Sequence, residues 1–95
     1  MFEWDEAKNR TNIEKHGVSF EQASRIFEGL TLTVIDDRFD YSEVRKIAIG
    51  LIDRIAYLAV VHTDRAGNIR IISARPARKT ERKRYDEAIQ KAFAE

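Results

Sequence analysis

The residues best suited to chemistry in this 95-residue chain are arginines and lysines concentrated in one short stretch. Eight basic residues and one acid, Glu81, fall between Arg65 and Tyr85, whereas the net charge of the whole chain is only +1. Guanidinium groups bind phosphate through paired N–H donors, and locally concentrated positive charge attracts polyanions. The stretch therefore predicts a phosphate-rich partner, with a solvated basic surface as the alternative.

Arg75 ends the run Ile-Arg-Ile-Ile-Ser-Ala-Arg, which is typical of a β-strand. The two-residue period of a strand predicts that its face is shared by three further side chains: Ile69, Ile71 and Ser73. An arginine at the end of an interior strand can extend past the core and offer its planar fork to a phosphate. The alternative is a structural ion pair of Arg75 with Glu81 or Asp64.

Glu81 follows within one helical turn of Arg78 and precedes Arg82 and Tyr85. A carboxylate among arginines should be ionised, so Glu81 is a candidate general base or a group that orients the arginines. The alternative is an acid favoured by the positive N-terminal end of a helix.

Other candidates are more ambiguous because residue type and spacing do not separate a site from ordinary surface or core. Lys8 can equally be a solvated lysine, Arg70 a partner in a structural ion pair, and His62 a hydrogen-bonded core residue. His16 suits a helix C-terminus. The chain has no cysteine, and its two histidines lack metal-ligand spacing, so we expect neither a metal nor another cofactor.

The elements that must position these residues predict one α+β domain over residues 1–95. Capping signals indicate two N-terminal helices, one from Asp5 to Gly17 and one from Ser19 to about Gly29. Four strands are expected near 30–36, 44–52, 55–63 and 68–75, in an antiparallel meander because their connections are short. A polar loop is expected over 36–42.

A final helix, capped by Thr80 or its neighbour, should cover the sheet. The stripe predicted to face the sheet contains five residues: Tyr85, Ala88, Ile89, Ala92 and Phe93. No stretch resembles a secretory signal or a bilayer span, so we expect a cytoplasmic protein without a membrane partner.

Several blocks, taken in order, resemble the BrnT family of toxins from type II toxin-antitoxin operons. They are Phe-Glu-Trp-Asp with Lys8 and Asn12, Lys-His-Gly-Val-Ser-Phe-Glu-Gln-Ala, Ile-Ala-Ile-Gly, Ile-Arg-Ile-Ile-Ser-Ala-Arg and Glu-Arg-x-x-Tyr. The resemblance implies a RelE-like fold and metal-independent RNA cleavage that arrests translation. It also implies neutralisation by a ribbon-helix-helix antitoxin, through which the complex contacts operator DNA. Pro76 departs from the family pattern, in which Arg or Lys commonly follows the strand.

The resemblance also suggests roles for the candidate residues. Five positions resemble the family's basic and acidic site residues: Lys8, Arg65, Arg75, Glu81 and Arg82. On this hypothesis three arginines stabilise phosphate charge (Arg65, Arg75 and Arg82), Glu81 is base or orienter, and Lys8 or His62 protonates the leaving group. Arg70, Arg78 and Tyr85 would contact RNA, with Tyr85 stacking on a base or holding Glu81. The rival hypothesis is a non-catalytic module that binds nucleic acid or a partner through the same basic patch.

Overall fold

The computed structural model describes residues 1–37 and 42–94 of the chain. Residues 38–41, which contain most of the polar loop expected over 36–42, lie outside the described residues. The helices are α1 (Glu6–His16), α2 (Phe20–Ser24), which continues into a 3-10 turn (Arg25–Glu28), and α3 (Lys79–Ala92). The strands are β1 (Phe2–Glu3), β2 (Leu32–Asp36), β3 (Arg45–Ile52), β4 (Ala56–Arg65) and β5 (Asn68–Pro76).

One sheet of five strands, in the order β1-β5-β4-β3-β2, forms the centre of the protein. The antiparallel meander expected from the sequence is confirmed for β2 to β5. The expectation of a purely antiparallel four-stranded sheet is wrong, because Phe2 and Glu3 pair in parallel with Ile69 and Arg70. The long α1 to β4 segment between β1 and β5 makes this parallel pairing possible.

The two hairpin turns have the backbone geometry that tight connections between twisted strands require. Asp53 and Arg54 have φ values of 54° and 60°, and Ala66 and Gly67 have φ values of 51° and 83°. Positive φ at both central residues is the property of the two-residue turn that matches the right-handed twist of antiparallel strands. Both turns lie in the gaps between the strands expected from the sequence, at 53–54 and within 64–67.

Capping residues set the helix boundaries. The Asp5 side chain accepts the Lys8 N–H at the start of α1, and Gly17, with φ of 69°, ends it. Ser19 and Gln22 form the predicted capping box of α2. The third helix begins earlier than expected: Arg78, rather than Thr80, occupies its N-cap position.

Apolar residues pack on both faces of the sheet. On one face, α2 and the 3-10 turn bury Phe20 and Ile26 against β3, β4 and β5. Gly50 permits this approach, since a Cβ atom there would lie 2.9 Å from the Ile26 Cβ. On the other face, the first half of α3 buries Tyr85 against Ile49 and Ala59.

The apolar stripe of α3 is shorter than the sequence suggests. Tyr85 is buried and Ile89 half-buried, but Ala92 is exposed and Phe93 is 72% exposed. The helix therefore covers the sheet only as far as Ile89. Among the described residues, none of the helices is long and apolar enough to cross a membrane.

A β-bulge changes the facing of β5. Val61 pairs with Ser73, but the next residue, His62, pairs with Ile71, so Ile72 is an extra residue. Ile71 consequently joins the core that contains Ala74, instead of sharing the face of Ser73 and Arg75 as strict alternation predicts. The alternation expected along the whole strand is therefore wrong on the N-terminal side of the bulge.

Candidate active site at the junction of β5 and α3

The end of β5 and the start of α3 meet through a two-pronged ion pair. Arg75 Nη1 lies 2.7 Å from Glu81 Oε1, and Arg75 Nη2 lies 2.9 Å from Glu81 Oε2. Both side chains are 18% exposed. The strand places Arg75 on the face of Ala59, its partner in β4, which is also the face that α3 covers. Of the two ion pairs considered from the sequence, Arg75 forms the one with Glu81, whereas Asp64 binds Lys46.

The backbone at the start of α3 adds a third donor to the same carboxylate. The N–H of Arg78 donates to Glu81 Oε1 at 2.8 Å. This is the backbone half of a capping box, and it is the half available here because an arginine side chain has no acceptor. Glu81 therefore caps the N-terminus of α3 and binds the Arg75 side chain at the same time.

These donors determine the charge state of Glu81. The Arg75 guanidinium is the main cause that holds the pKa of the Glu81 carboxyl below its usual value, and the Arg78 N–H lowers it further against the opposing effect of burial. Glu81 is consequently a carboxylate at neutral pH. Both of its oxygen atoms are already engaged, which favours orientation of Arg75 over free action as a base.

Arg82 lies one residue further along α3 and reaches a different part of the surface. Its guanidinium carbon is 5.7 Å from the ring centroid of Tyr57, within the range of a cation–π contact. The Tyr57 hydroxyl donates to Asp86 Oδ1 at 2.8 Å, and this hydrogen bond is the main cause that raises the pKa of Tyr57. Lys79 and Lys83 line the same open groove as Tyr57 and Arg82.

Tyr57 is a surface aromatic residue that sequence reasoning missed. It stands at the start of β4, where its apolar neighbours predict a core residue, but its ring is only partly buried. No local pattern marked it, because its place opposite the end of β5 is set by strand pairing, in which Tyr57 O accepts the Ala77 N–H.

The expected RNA contact by Tyr85 is contradicted. Tyr85 is only 6% exposed, packs edge-on against Tyr57 with 5.9 Å between ring centroids, and donates its hydroxyl to Leu30 O at 3.0 Å. Burial raises the pKa of Tyr85. A base cannot stack on this ring, and the hydroxyl is bonded to Leu30 rather than to Glu81.

His62 lies on the opposite face of the sheet from Arg75. It is 4% exposed, its ring packs edge-on against Phe27, and its Nδ1 is 3.3 Å from Val60 O. Burial lowers the pKa of His62. The expectation that His62 protonates a leaving group beside Arg75 is therefore wrong, because the sheet separates the two side chains.

Arg65 and Arg70 stand at the far end of β5 from Arg75. Arg70 Nη1 is 2.8 Å from Glu3 Oε2. The hydrogen bond from Arg70 is the main cause that lowers the pKa of Glu3, and the charge of Arg65 lowers it further. Seven residues of extended strand separate Asn68, the partner of Arg65, from Arg75, which corresponds to roughly 23 Å. The structure does not bring Arg65 or Arg70 to the Arg75 site.

Lys8 is exposed on α1 and lines a groove with Ser73 at the edge of β5. Two asparagines of the same helix are buried; Asn9 was not singled out from the sequence, and Asn12 was named only as part of a family block. Asn9 accepts the Phe20 N–H at 2.8 Å, and Asn12 donates to Ala74 O at 2.7 Å and accepts from Ala74 N at 3.1 Å. Their spacing of three residues on one helix face was the available signal.

Within residues 1–37 and 42–94, no group of three or more His, Cys, Asp or Glu side chains is arranged to hold a metal ion. Of the sequence-predicted residues, the Arg75 and Glu81 side chains meet at the β5–α3 junction, and Arg78 joins them through its backbone N–H. The Arg82 side chain, from the same end of α3, lies over Tyr57. Arginine side chains can offer paired N–H donors to a phosphodiester, and here the Glu81 carboxylate fixes the orientation of Arg75.

Comparison with known proteins places this chain in a family. The model of the ribonuclease toxin BrnT of type II toxin-antitoxin systems matches residues 4–81, more than four fifths of the chain, and the matched span includes Arg75 and Glu81. The 1.1 Å crystal structure of the Brucella abortus ribonuclease toxin BrnT is similar, with a TM-score of 0.63 and 28% sequence identity over 83% of this chain and 99% of that one. Curated protein sequences provide no match. The chain belongs to the BrnT family of type II ribonuclease toxins.

Proposed function

We propose that the protein cleaves RNA without a metal ion at the β5–α3 junction and thereby inhibits translation. The observation that carries the proposal is the arginine fork of Arg75, oriented by Glu81 at the start of α3, where Arg78 and Arg82 are also located. Phosphoryl transfer builds up negative charge on the equatorial oxygens of the crowded phosphate, and preoriented arginines can stabilise that charge.

The substrate's own 2′-hydroxyl is the nucleophile in this proposal. It attacks the adjacent phosphorus atom and the bond from phosphorus to the 5′-oxygen breaks. The departing 5′-oxygen takes a proton from solvent water, so the products carry a 2′,3′-cyclic phosphate and a 5′-hydroxyl. Arg75 binds the non-bridging oxygens, Arg82 and Arg78 contribute further charge, and Glu81 holds Arg75 in position. An incoming phosphate competes with Glu81 for the Arg75 fork, which frees one carboxylate oxygen to accept the 2′-hydroxyl proton.

The proposed biological setting follows the family. An antitoxin of the ribbon-helix-helix class would neutralise the protein in the cytoplasm, and the complex would contact operator DNA through the antitoxin. A RelE-like relationship of the fold is part of the same proposal, supported by the antiparallel meander with α3 packed on one face.

The test is RNA cleavage by the purified protein in buffer with EDTA. We expect fragments that end in a 2′,3′-cyclic phosphate, and no fragments from fully 2′-O-methylated RNA. Arg75→Ala should reduce the cleavage rate by about a hundredfold or more, because one preoriented donor in such a site has an effect of that order. Arg75→Lys keeps the charge without the fork and should also be strongly impaired.

Arg84→Ala is the matched control, because Arg84 lies on the same helix but lines a separate groove with Glu87 and Lys91. Thermal unfolding of each variant verifies that it is folded. Equal cleavage rates for wild type, Arg75→Ala and Arg75→Lys would contradict the site assignment. Binding of RNA by the protein without cleavage would instead support the non-catalytic binding module. The Arg75–Glu81 ion pair is compatible with that function too.

A further inference from the structure

A cationic groove runs along the edge of β5, next to α1. It encloses about 310 Å³. The side chains that define it are Lys8, Thr11, Lys15 and His16 from α1, and Ile72 and Ser73 from β5. The lining contains two lysines and no carboxylate, so the groove favours a negatively charged ligand.

The fold fixes the orientation of both lysines. The buried Asn12 side chain hydrogen-bonds to both backbone polar groups of Ala74 and to Val18 O, which sets the rotation of α1 against β5. Lys8 and Lys15 lie four residues before and three residues after Asn12, positions that share its helix face. Neither ammonium group forms an ion pair with any residue in the described ranges, 1–37 and 42–94. Their charge is therefore available to a ligand.

The groove adjoins the proposed cleavage site. Ser73 and Arg75 occupy the same face of β5 two residues apart, which corresponds to about 7 Å. β1 pairs with Ile69 and Arg70, whereas Asn12 contacts Ala74, so α1 advances along β5 toward Arg75. Lys15 follows Asn12 by three residues along α1 and lines the groove together with Ile72 and Ser73.

We propose that this groove binds the sugar-phosphate backbone of the RNA strand next to the scissile phosphate, with Lys15 and Lys8 as phosphate contacts. The ligand class rests on the proposed function, since the same charge pattern would accept other polyanions. Contacts of this kind are independent of base identity, so they extend the footprint of the protein on RNA without selecting a sequence.

The test measures binding of 2′-O-methylated single-stranded RNA, which separates binding from cleavage. Lys15→Ala should weaken binding several-fold, to a similar extent for RNAs of different sequence. The slope of log Kd against log salt concentration should fall by about 0.7, the value for one phosphate contact on a single strand. The double variant Lys8→Ala/Lys15→Ala should lower the slope of log Kd against log salt concentration by about twice as much as Lys15→Ala alone. Lys91→Ala, an exposed lysine on α3, is the matched control and should bind as wild type does.

An unchanged slope and Kd in both Lys15→Ala and Lys15→Glu would overturn the inference. So would a loss of antitoxin binding in these variants with RNA binding intact, because the groove would then be a protein interface. The proposed function fails separately: salt-dependent, Lys15-dependent RNA binding without cleavage of unmodified RNA would retain the groove and reject the nuclease. Cleavage of unmodified RNA together with RNA binding that does not depend on Lys15 would retain the nuclease and reject the groove.

Discussion

Arg75 and Glu81 each depend on the other for their geometry. The fork of Arg75 is fixed by two hydrogen bonds to Glu81, and Glu81 is fixed in turn by the Arg78 N–H at the start of α3. Charge-assisted bonds of this type are roughly twice as strong as neutral ones. The pair therefore links the strand to the helix and holds the Arg75 guanidinium in one orientation.

At the same scale, the structure distinguishes the partly exposed Tyr57 from the buried Tyr85, which residue type alone does not. Tyr85→Phe should lower the free energy of unfolding by about 1 kcal/mol, because only the hydrogen bond to Leu30 O is lost while the buried ring remains. RNA cleavage per folded molecule should be unchanged. Urea unfolding and the cleavage assay measure the two quantities. A large loss of cleavage with unchanged stability would show that the Tyr85 hydroxyl acts in the site.

At the scale of elements, α1 is held to the sheet by polar contacts more than by apolar ones. Ile13 is 43% exposed, whereas Asn9 and Asn12 are buried and bind backbone groups of other elements. The part of β5 beyond its short pairing with β1 is an edge, and the Asn12 amide satisfies the Ala74 N–H and C=O there as a neighbouring strand would.

Asn12→Ala should therefore be strongly destabilising. It leaves the Ala74 N–H and two carbonyl groups without their partner, and each buried unsatisfied group costs about 1–3 kcal/mol. We expect the free energy of unfolding to fall by at least about 2 kcal/mol in urea titrations. Thr11→Ala, one position earlier on an exposed part of the helix, should change it by less than about 0.5 kcal/mol. Similar stability for the two variants would show that water replaces the Asn12 amide.

At the scale of the whole molecule, the sheet separates two faces. One carries the larger core around Phe20 and Ile26, and the other carries Arg75 and the smaller cluster around Tyr85. His62 lies on the face of the larger core, where Lys46 and Asp64 are its charged neighbours. Burial lowers the pKa of His62, so between its folded and unfolded values the unfolded chain binds a proton that the folded protein does not. This histidine therefore makes the folded state less stable as the pH falls below about 6.5.

His62→Phe should remove that dependence. The substitution keeps an aromatic ring beside Phe27 and cannot titrate. The free energy of unfolding of wild type should decrease between about pH 7.5 and 5.5, while that of the variant should change less over the same range. Urea unfolding at several pH values provides the comparison. Parallel curves for the two proteins would mean that His62 has the same pKa in both states.

The sequence by itself determined the features that depend on local chemistry. These include the caps at Asp5, Ser19 and Gly17, the two hairpin turns, the meander and the concentration of charge around Arg75. Helix capping and turn formation depend on residues a few positions apart, so they can be predicted from order alone.

Only the tertiary structure decided which charged residues meet. The bulge at Ile72, the pairing of β1 with β5 and the burial of His62 and Tyr85 all depend on contacts between residues distant in sequence. Those contacts separate Arg65 and Arg70 from Arg75, put His62 behind the sheet, and bring Glu81 onto the Arg75 fork. The face and position of a side chain in a sheet are set by register and packing, which the order of residues leaves open.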